Sequence, residues 1–412
     1  MRVLMLGWEF PPYKSGGLGT ACYDLTKGLS NQDVQVTFVM PKTPEGANAE
    51  FVKLVGANQL TGDITINFFS TLLQPYMTPE QYDAEYTYHT SKQPSDKELY
   101  GANMYAEIER YKAAICNIIK TEPFDIIHAH DWMTYEAGVL AKELSGKPLV
   151  IHLHATEGDR TAGHPNTWIA EKEAYGFTQA DRIIANSNWT KSNIMKEYSV
   201  NAEKINVVHW GIRQDNPAYR LRFRSALNKK DKIVLSLGRI TIQKGIDYLV
   251  RAAAHVVKHV PNVKFVIVGK GDKLGEIIGL VSDLGLSDKF IFPGWLKGAE
   301  VHQAFQMADV FVMPSVSEPF GLVALESLKN NTPIIISKQS GASEVVQNAL
   351  KVDFWDVHAL ADKLVGVLKY PQLHEILQKR SYLEAFSFDL DTPAKKCIEI
   401  YESVLAKREA KL

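Results

Sequence analysis

The 412 residues are enough for two domains with separate cores. Hydrophobic residues make up 45% and charged residues 23%, and 46 Lys and Arg against 47 Asp and Glu leave a net charge of −1, which excludes a broad nucleic-acid footprint. Cys22, Cys116 and Cys397 are too few for a disulfide framework, and no apolar run reads as a secretory signal or a membrane span, so a cytoplasmic protein is expected, with peripheral membrane contact and oligomeric state left open.

Short β-branched runs alternate with longer amphipathic segments, which predicts parallel sheets covered by helices. The first predicted strand, 3–6, runs into a loop containing Lys14, Ser15, Gly16 and Gly17 and then a helix. Small residues with one lysine at a helix start can close over a diphosphate. A second strand is predicted at 34–39. It is followed by Lys42 rather than the acid a dinucleotide fold needs. Residues 43–103 interrupt the pattern as a tyrosine-rich insertion.

Strands follow at 125–128, 149–153, 182–185 and 205–208. His128 and His130, like His152 and His154, are i, i+2 pairs that place both rings on one strand face. Such spacing could hold zinc. No cysteine or carboxylate cluster accompanies the pairs, and each straddles a strand end, so core histidines are expected and no metal. Residues 211–228, with Pro217 and a basic, weakly periodic stretch, read as a linker.

The second half predicts strands at 233–237, 264–268, 290–292, 310–312 and 333–336, with helices at 246–259 and 321–330. Open α/β sheets bind ligands at the carboxyl ends of their strands. After 233–237 come Arg239 and Lys244, two cations five residues apart beside a helix start, which suit a phosphate. After 264–268, Gly269 opens a tight turn fit for a loop beside a base or phosphate. After 310–312 comes Glu318-Pro319-Phe320-Gly321, and a helix carrying Glu326. Glu318 can accept from sugar hydroxyls and Glu326 from both hydroxyls of a ribose. Ser340 to Glu344 form another turn opening a helix. Asp389-Leu390-Asp391 is the only D-x-D triplet and reads as capping chemistry for a last helix over 392–412.

Assembled, these loops resemble those of the GT-B retaining glycosyltransferases of the family-four type, close to glycogen and starch synthases. Glu318-Pro319-Phe320-Gly321 with Glu326 is similar to the family's E-x7-E pattern, and Arg239 and Lys244 to its diphosphate pair. Lys14-Ser15-Gly16-Gly17-Leu18 resembles a K-x-G-G-L donor loop, His130-Asp131-Trp132 an H-D-W, and Leu99-Tyr100-Gly101 an L-Y-G near the acceptor. Glycogen synthases usually show E-P-C-G and lack the second Glu, whereas this chain has Phe320 and Glu326.

The resemblance implies an α/β GT-B fold: two Rossmann-like, doubly wound domains facing a central cleft. Residues 1–211 with 388–412 would form the acceptor-side domain, the last helix crossing back onto it. Residues 226–387 would form the donor domain. It also implies a hexosyltransferase that moves a sugar, glucose foremost, from a nucleotide-diphosphate donor to a glycan or oligosaccharide acceptor, with retention and without a metal or cofactor. His154, Arg239, Lys244 and Glu318 would be catalytic. Lys14, Gly16, Gly17, Gly269, Phe320, Gly321, Leu322 and Glu326 would bind the donor, and Asp131, Trp132 and Tyr100 would lie on the acceptor side. Another sugar or acceptor (a sucrose-type product, a cell-surface polysaccharide) and a sugar-nucleotide epimerase stay open.

Overall fold

The computed structural model describes residues 1–11, 17–41, 50–56, 104–214 and 230–410. The first lobe contains β1 (Arg2–Leu6), α1 (Gly17–Ser30), β2 (Gln35–Met40), β3 (Lys53–Gly56), α2 (Met104–Thr121) and β4 (Ile126–His130). It continues through α3 (Trp132–Ser145), β5 (Leu149–Leu153), α4 (Glu157–Arg160), α5 (Thr167–Gln179), β6 (Arg182–Ala185), α6 (Asn188–Tyr198) and β7 (Ile205–Val207). Its seven strands lie in the order β3-β2-β1-β4-β5-β6-β7, all pairs parallel.

The second lobe follows with β8 (Lys232–Leu237), α7 (Ile246–His259), β9 (Val263–Val268), α8 (Leu274–Asp283), β10 (Phe290–Gly294), α9 (Ala299–Met307) and β11 (Val310–Met313). Then come α10 (Leu322–Lys329), β12 (Ile334–Ser337), α11 (Ala342–Val345), β13 (Leu350–Val352), α12 (Val357–Lys369) and α13 (Pro371–Ala385). Its six strands run parallel in the order β10-β9-β8-β11-β12-β13. Both orders reverse direction once, between β1 and β4 and between β8 and β11. Those reversals open the crevices in which doubly wound sheets hold ligands.

The central strands are apolar on both faces because helices cover both. Val234, Phe265 and Val310 pack toward α7 and α12, in a core with Leu249, Val256 and Leu364. Phe311, Met313 and Phe320 instead join a core continuous with that of the first lobe. The two sheets are therefore welded through one face of the second.

The central predicted strands lie where the sequence places them, and 149–153 and 182–185 coincide with β5 and β6. Two strands escaped the reading. β3 falls within 43–103, so that stretch is not wholly an insertion, and β13 is three residues long. Both are sheet edges with a single neighbour, where short runs carry little periodicity.

The final helix, α14 (Asp391–Glu409), packs on α1 of the first lobe. A Cβ on Gly211 would lie 1.7 Å from the Asp389 carbonyl, and one on Gly28 would lie 2.3 Å from that of Leu390. Only glycine permits these approaches. The Phe388 carbonyl accepts from Ile212 N (3.2 Å) and Gln214 Nε2 (3.1 Å). Asp389 bonds Thr392 through both N (2.6 Å) and Oγ1 (3.1 Å), and Asp391 accepts from Asn31 Nδ2 (2.9 Å). The D-x-D triplet thus starts the helix and ties it down. Among the described residues, no helix is long and apolar enough to cross a membrane.

Candidate active site

A shallow recess opens at the β8/β11 switch point of the second sheet. Its lining includes Ser236–Ile240 at the end of β8, Ile267 and Val268 of β9, Met313–Ser315 at the end of β11, and Lys244, Glu318 and Val323. Arg239, Lys244 and Glu318 therefore meet in one place, although 79 residues separate the first from the last.

Local backbone chemistry makes this possible. Gly245 sits at φ 60°, and a Cβ there would meet the Pro314 carbonyl at 2.3 Å. The residue before α7 can therefore press against the β11 loop. Gly269, at φ +146°, would with a Cβ meet the Gly238 carbonyl at 1.8 Å. Its role is to let the β8 and β9 loops touch. Gly321, at φ +96°, precedes α10, and neither α7 nor α10 has a side-chain cap on its first amides. Such helix starts favour an anion.

Within the recess, Lys244 Nζ donates to Glu318 Oε2 at 2.5 Å, and Ser315 Oγ donates to the same oxygen at 3.1 Å. Arg239 Nη2 donates to Gln243 Oε1 at 3.0 Å. Ser315 and the buried Gln243 are site residues the sequence reading missed. Their only signal was position, three residues before Glu318 and one before Lys244. Glu326 lies on α10, partly buried, with its carbonyl accepting from Asn330. Phe320 is buried, 6.2 Å from the His209 ring, so its side chain packs the lobe junction rather than the recess. Leu322 opens α10 and is partly buried.

On the first lobe, β4 and β5 pair with His130 beside His152, and this places all four histidines on one sheet face. His128 Nδ1 bonds Tyr401 Oη of α14 at 2.5 Å, and His130 Nδ1 bonds His154 Nε2 at 2.9 Å. The rings stack on one another and on Trp210, which lies 3° from the plane of His152. Burial pushes the imidazoles far below their ordinary range, His130 to about 3, so all four are neutral. Contrary to the sequence expectation, a buried thiol accompanies the histidines: Cys22 Sγ and nitrogens of His130 and His154 lie within 4.8 Å of one another, as do nitrogens of His128, His130 and His152. The three ring planes are nearly parallel, at 11–26°. In-plane lone pairs then run side by side instead of converging, which is a poor ligand geometry. Sequence spacing identified two pairs; the sheet makes them one stack.

Asp131 and Trp132 depart from the acceptor-side expectation. Asp131 is fully buried at φ 60°, a strained position for a residue with a side chain. Its Oδ1 accepts from His154 N at 3.0 Å and its Oδ2 faces Arg160 Nη2 at 3.4 Å. It therefore holds the His154 backbone. Trp132 is only 2% exposed and stands edge-on to Trp168, so it packs the core. Around Arg160 lie three carboxylates: Asp131, Glu157 (3.5 Å) and Glu173 (2.8 Å). Gly17 is exposed at the start of α1, and a Cβ there would meet no described residue within 4 Å. Lys14, Gly16 and Tyr100 lie outside the described residues.

Residues 219–384 match the family of group 1 glycosyl transferases, and residues 15–216 match glycosyltransferase family 4. A D-inositol 3-phosphate glycosyltransferase from Acidothermus cellulolyticus is 30% identical over 69% of this chain and 68% of its own length. A glycogen synthase from Mycobacterium tuberculosis is 25% identical over 99% of this chain and 95% of its own. Among solved structures, the sucrose-phosphate synthase of Thermosynechococcus elongatus superposes with a TM-score of 0.76 at 19% identity, covering 98% of this chain and 99% of that one. HepE of Anabaena in complex with UDP-glucose gives 0.70 at 18% identity, covering 98% and 100%.

Proposed function

This chain belongs to the GT-B glycosyltransferases of the family-four type, and from that premise we propose that it moves a hexose, glucose foremost, from a nucleotide-diphosphate donor to a glycan acceptor with retention of configuration. The observation that carries the reading is the meeting of Arg239, Lys244 and Glu318 at the second sheet's switch point, beside helix starts with no side-chain cap. As the bond from sugar to diphosphate breaks, negative charge grows on the leaving group. Arg239 and Lys244 supply the compensating charge, so the reaction is assigned no metal and no cofactor. Glu318 takes sugar hydroxyls and Glu326 takes the ribose. His154, held by Asp131 and His130, faces the sugar from the first lobe. Lys14, Gly16 and Gly17 close over the diphosphate.

The division into 1–211 with 388–412 and 226–387 is proposed with this reading. So is a cytoplasmic location, in keeping with three free cysteines. The acceptor is proposed to be a glucan, following the glycogen synthase relative, which spans nearly the whole chain. The experiment is product analysis with UDP-glucose and ADP-glucose, with and without maltodextrin, by NMR of the new anomeric centre. Elongated maltodextrin with the donor's configuration supports the reading. An inverted product overturns retention, and a changed sugar nucleotide formed without acceptor replaces transfer by epimerisation.

A further inference from the structure

Glu344 stands in the second lobe, but its side chain serves the first. The turn before it is bonded backbone to backbone to the segment carrying Glu318. Glu318 N donates to Gln339 O (2.9 Å), Gly341 N to Glu318 O (2.9 Å) and Ala342 N to Phe320 O (2.7 Å). Glu344 and Glu318 therefore belong to one rigid piece of backbone.

From that piece the Glu344 carboxylate reaches the start of α6. It accepts from Asn188 N (2.9 Å), Trp189 N (2.7 Å), Asn188 Nδ2 (3.0 Å) and His209 Nε2 (2.9 Å). The amides of a helix's first turn have no partner within the helix. Here the first two are taken by the other lobe and the third, of Thr190, by Ser187 Oγ (3.0 Å). A negative charge at that end of the helix is favourable in itself.

The bonding also runs the other way. Ser187 Oγ and Thr190 Oγ1 donate to the Pro319 carbonyl at 2.6 and 3.3 Å, and Trp189 Nε1 donates to Ser317 Oγ at 3.1 Å. Ser317 Oγ in turn donates to Asp159 Oδ1. Both chain neighbours of Glu318 are thus anchored to the first lobe. A Cβ on Gly341 would stand 2.2 Å from the Pro319 carbonyl and 2.6 Å from Ser187 Cβ, so the junction requires a glycine there.

We propose that Glu344 is a positioning residue: a strut between the lobes that sets the place of Glu318 relative to the first-lobe face of the cleft. The inference rests on the reading of Glu318 and its recess as the donor site. It predicts a separation of two properties. Among the described residues the recess is lined by the second lobe, 236–323, so those contacts to a nucleoside diphosphate persist without the strut, and the first-lobe loop of Lys14, Gly16 and Gly17 adds to them only on closure. Transfer needs both lobes in register, and a misplacement of about 1 Å can cost about 100-fold in rate.

The test uses the full chain with Glu344→Ala and Glu344→Gln. UDP and ADP affinities are measured by calorimetry, turnover with donor and maltodextrin, and folding by thermal melting. For Glu344→Ala the expected result is a diphosphate affinity within about three-fold of wild type with kcat down about 10–100-fold. Glu344→Gln keeps an oxygen for the two helix amides and should recover part of that loss. Wild-type kcat in Glu344→Ala, equal losses of affinity and kcat, or failure of both variants to fold each overturns the strut. Wild-type protein that binds neither diphosphate overturns the donor-site reading beneath it.

Discussion

Lys244 and Glu318, 74 residues apart, are bonded to each other in the second-lobe recess, Nζ to Oε2 at 2.5 Å, with both side chains largely buried. Each is thereby the other's partner. On the proposed reading, a diphosphate that takes Lys244 would strip Glu318 of its cation, and sugar hydroxyls would then restore hydrogen bonds to the carboxylate. On that reading the arrangement would favour a complete nucleotide-sugar over a bare diphosphate, since an unpaired buried carboxylate is costly.

Two substitutions read this exchange. Lys244→Ala is expected to lower turnover about 10²–10³-fold at saturating donor. Glu318→Gln is expected to bind a nucleoside diphosphate several-fold more tightly than wild type while turning over far more slowly, because Lys244 is released. Calorimetry with UDP and ADP measures the first effect and product formation the second. Unchanged diphosphate affinity in Glu318→Gln would show that the pair does not gate the site.

Gly211→Ala tests the return of the last helix. The added methyl would lie 1.7 Å from the Asp389 carbonyl, so the crossover must shift. A cost of about 1–3 kcal/mol is expected, typical of overpacking, and is measured by denaturant unfolding. Gly17→Ala, where an added Cβ meets no described residue within 4 Å, is the control and should change stability little.

Tyr401→Phe removes the hydrogen-bond partner of His128 Nδ1 in a fully buried site. Leaving that nitrogen unsatisfied should cost about 1–3 kcal/mol. The double variant with His128→Leu should be less destabilised than the sum of the two single variants, which a double-mutant cycle measures. Additive losses would mean the bond contributes nothing.

Glu173 carries a pH dependence. Burial raises its carboxyl to about 7, against the opposing pull of Arg160. Asp131 and Glu157 share the same guanidinium, so retaining one proton among three acids relieves the charge. An acid whose folded pKa is raised binds more protons when folded. Its contribution to stability is therefore full below about 4.5 and is lost as pH rises to about 7. Glu173→Gln should flatten the fall in melting temperature over that interval. A wild-type melting temperature that rises from pH 5 to pH 7 with the same slope in the variant would count against it.

The sequence by itself determined the elements and the loops that carry chemistry. Runs such as the three isoleucines 334–336 are apolar on both faces and read as buried strands; Glu318-Pro319-Phe320-Gly321 and the Arg239–Lys244 spacing announce a strand-to-helix turn with charge at its mouth. These are local properties, set by side-chain branching, periodicity and turn residues within a few positions. What only the tertiary structure decided is which distant residues meet. It turned Asp131 and Trp132 inward, merged two histidine pairs into one stack beneath Tyr401, paired Lys244 with Glu318, and delivered Glu344 to a helix 155 residues earlier. Such contacts depend on strand order and on how the lobes pack. Neither is written in any short window, because the free energy that selects them is summed over the whole core.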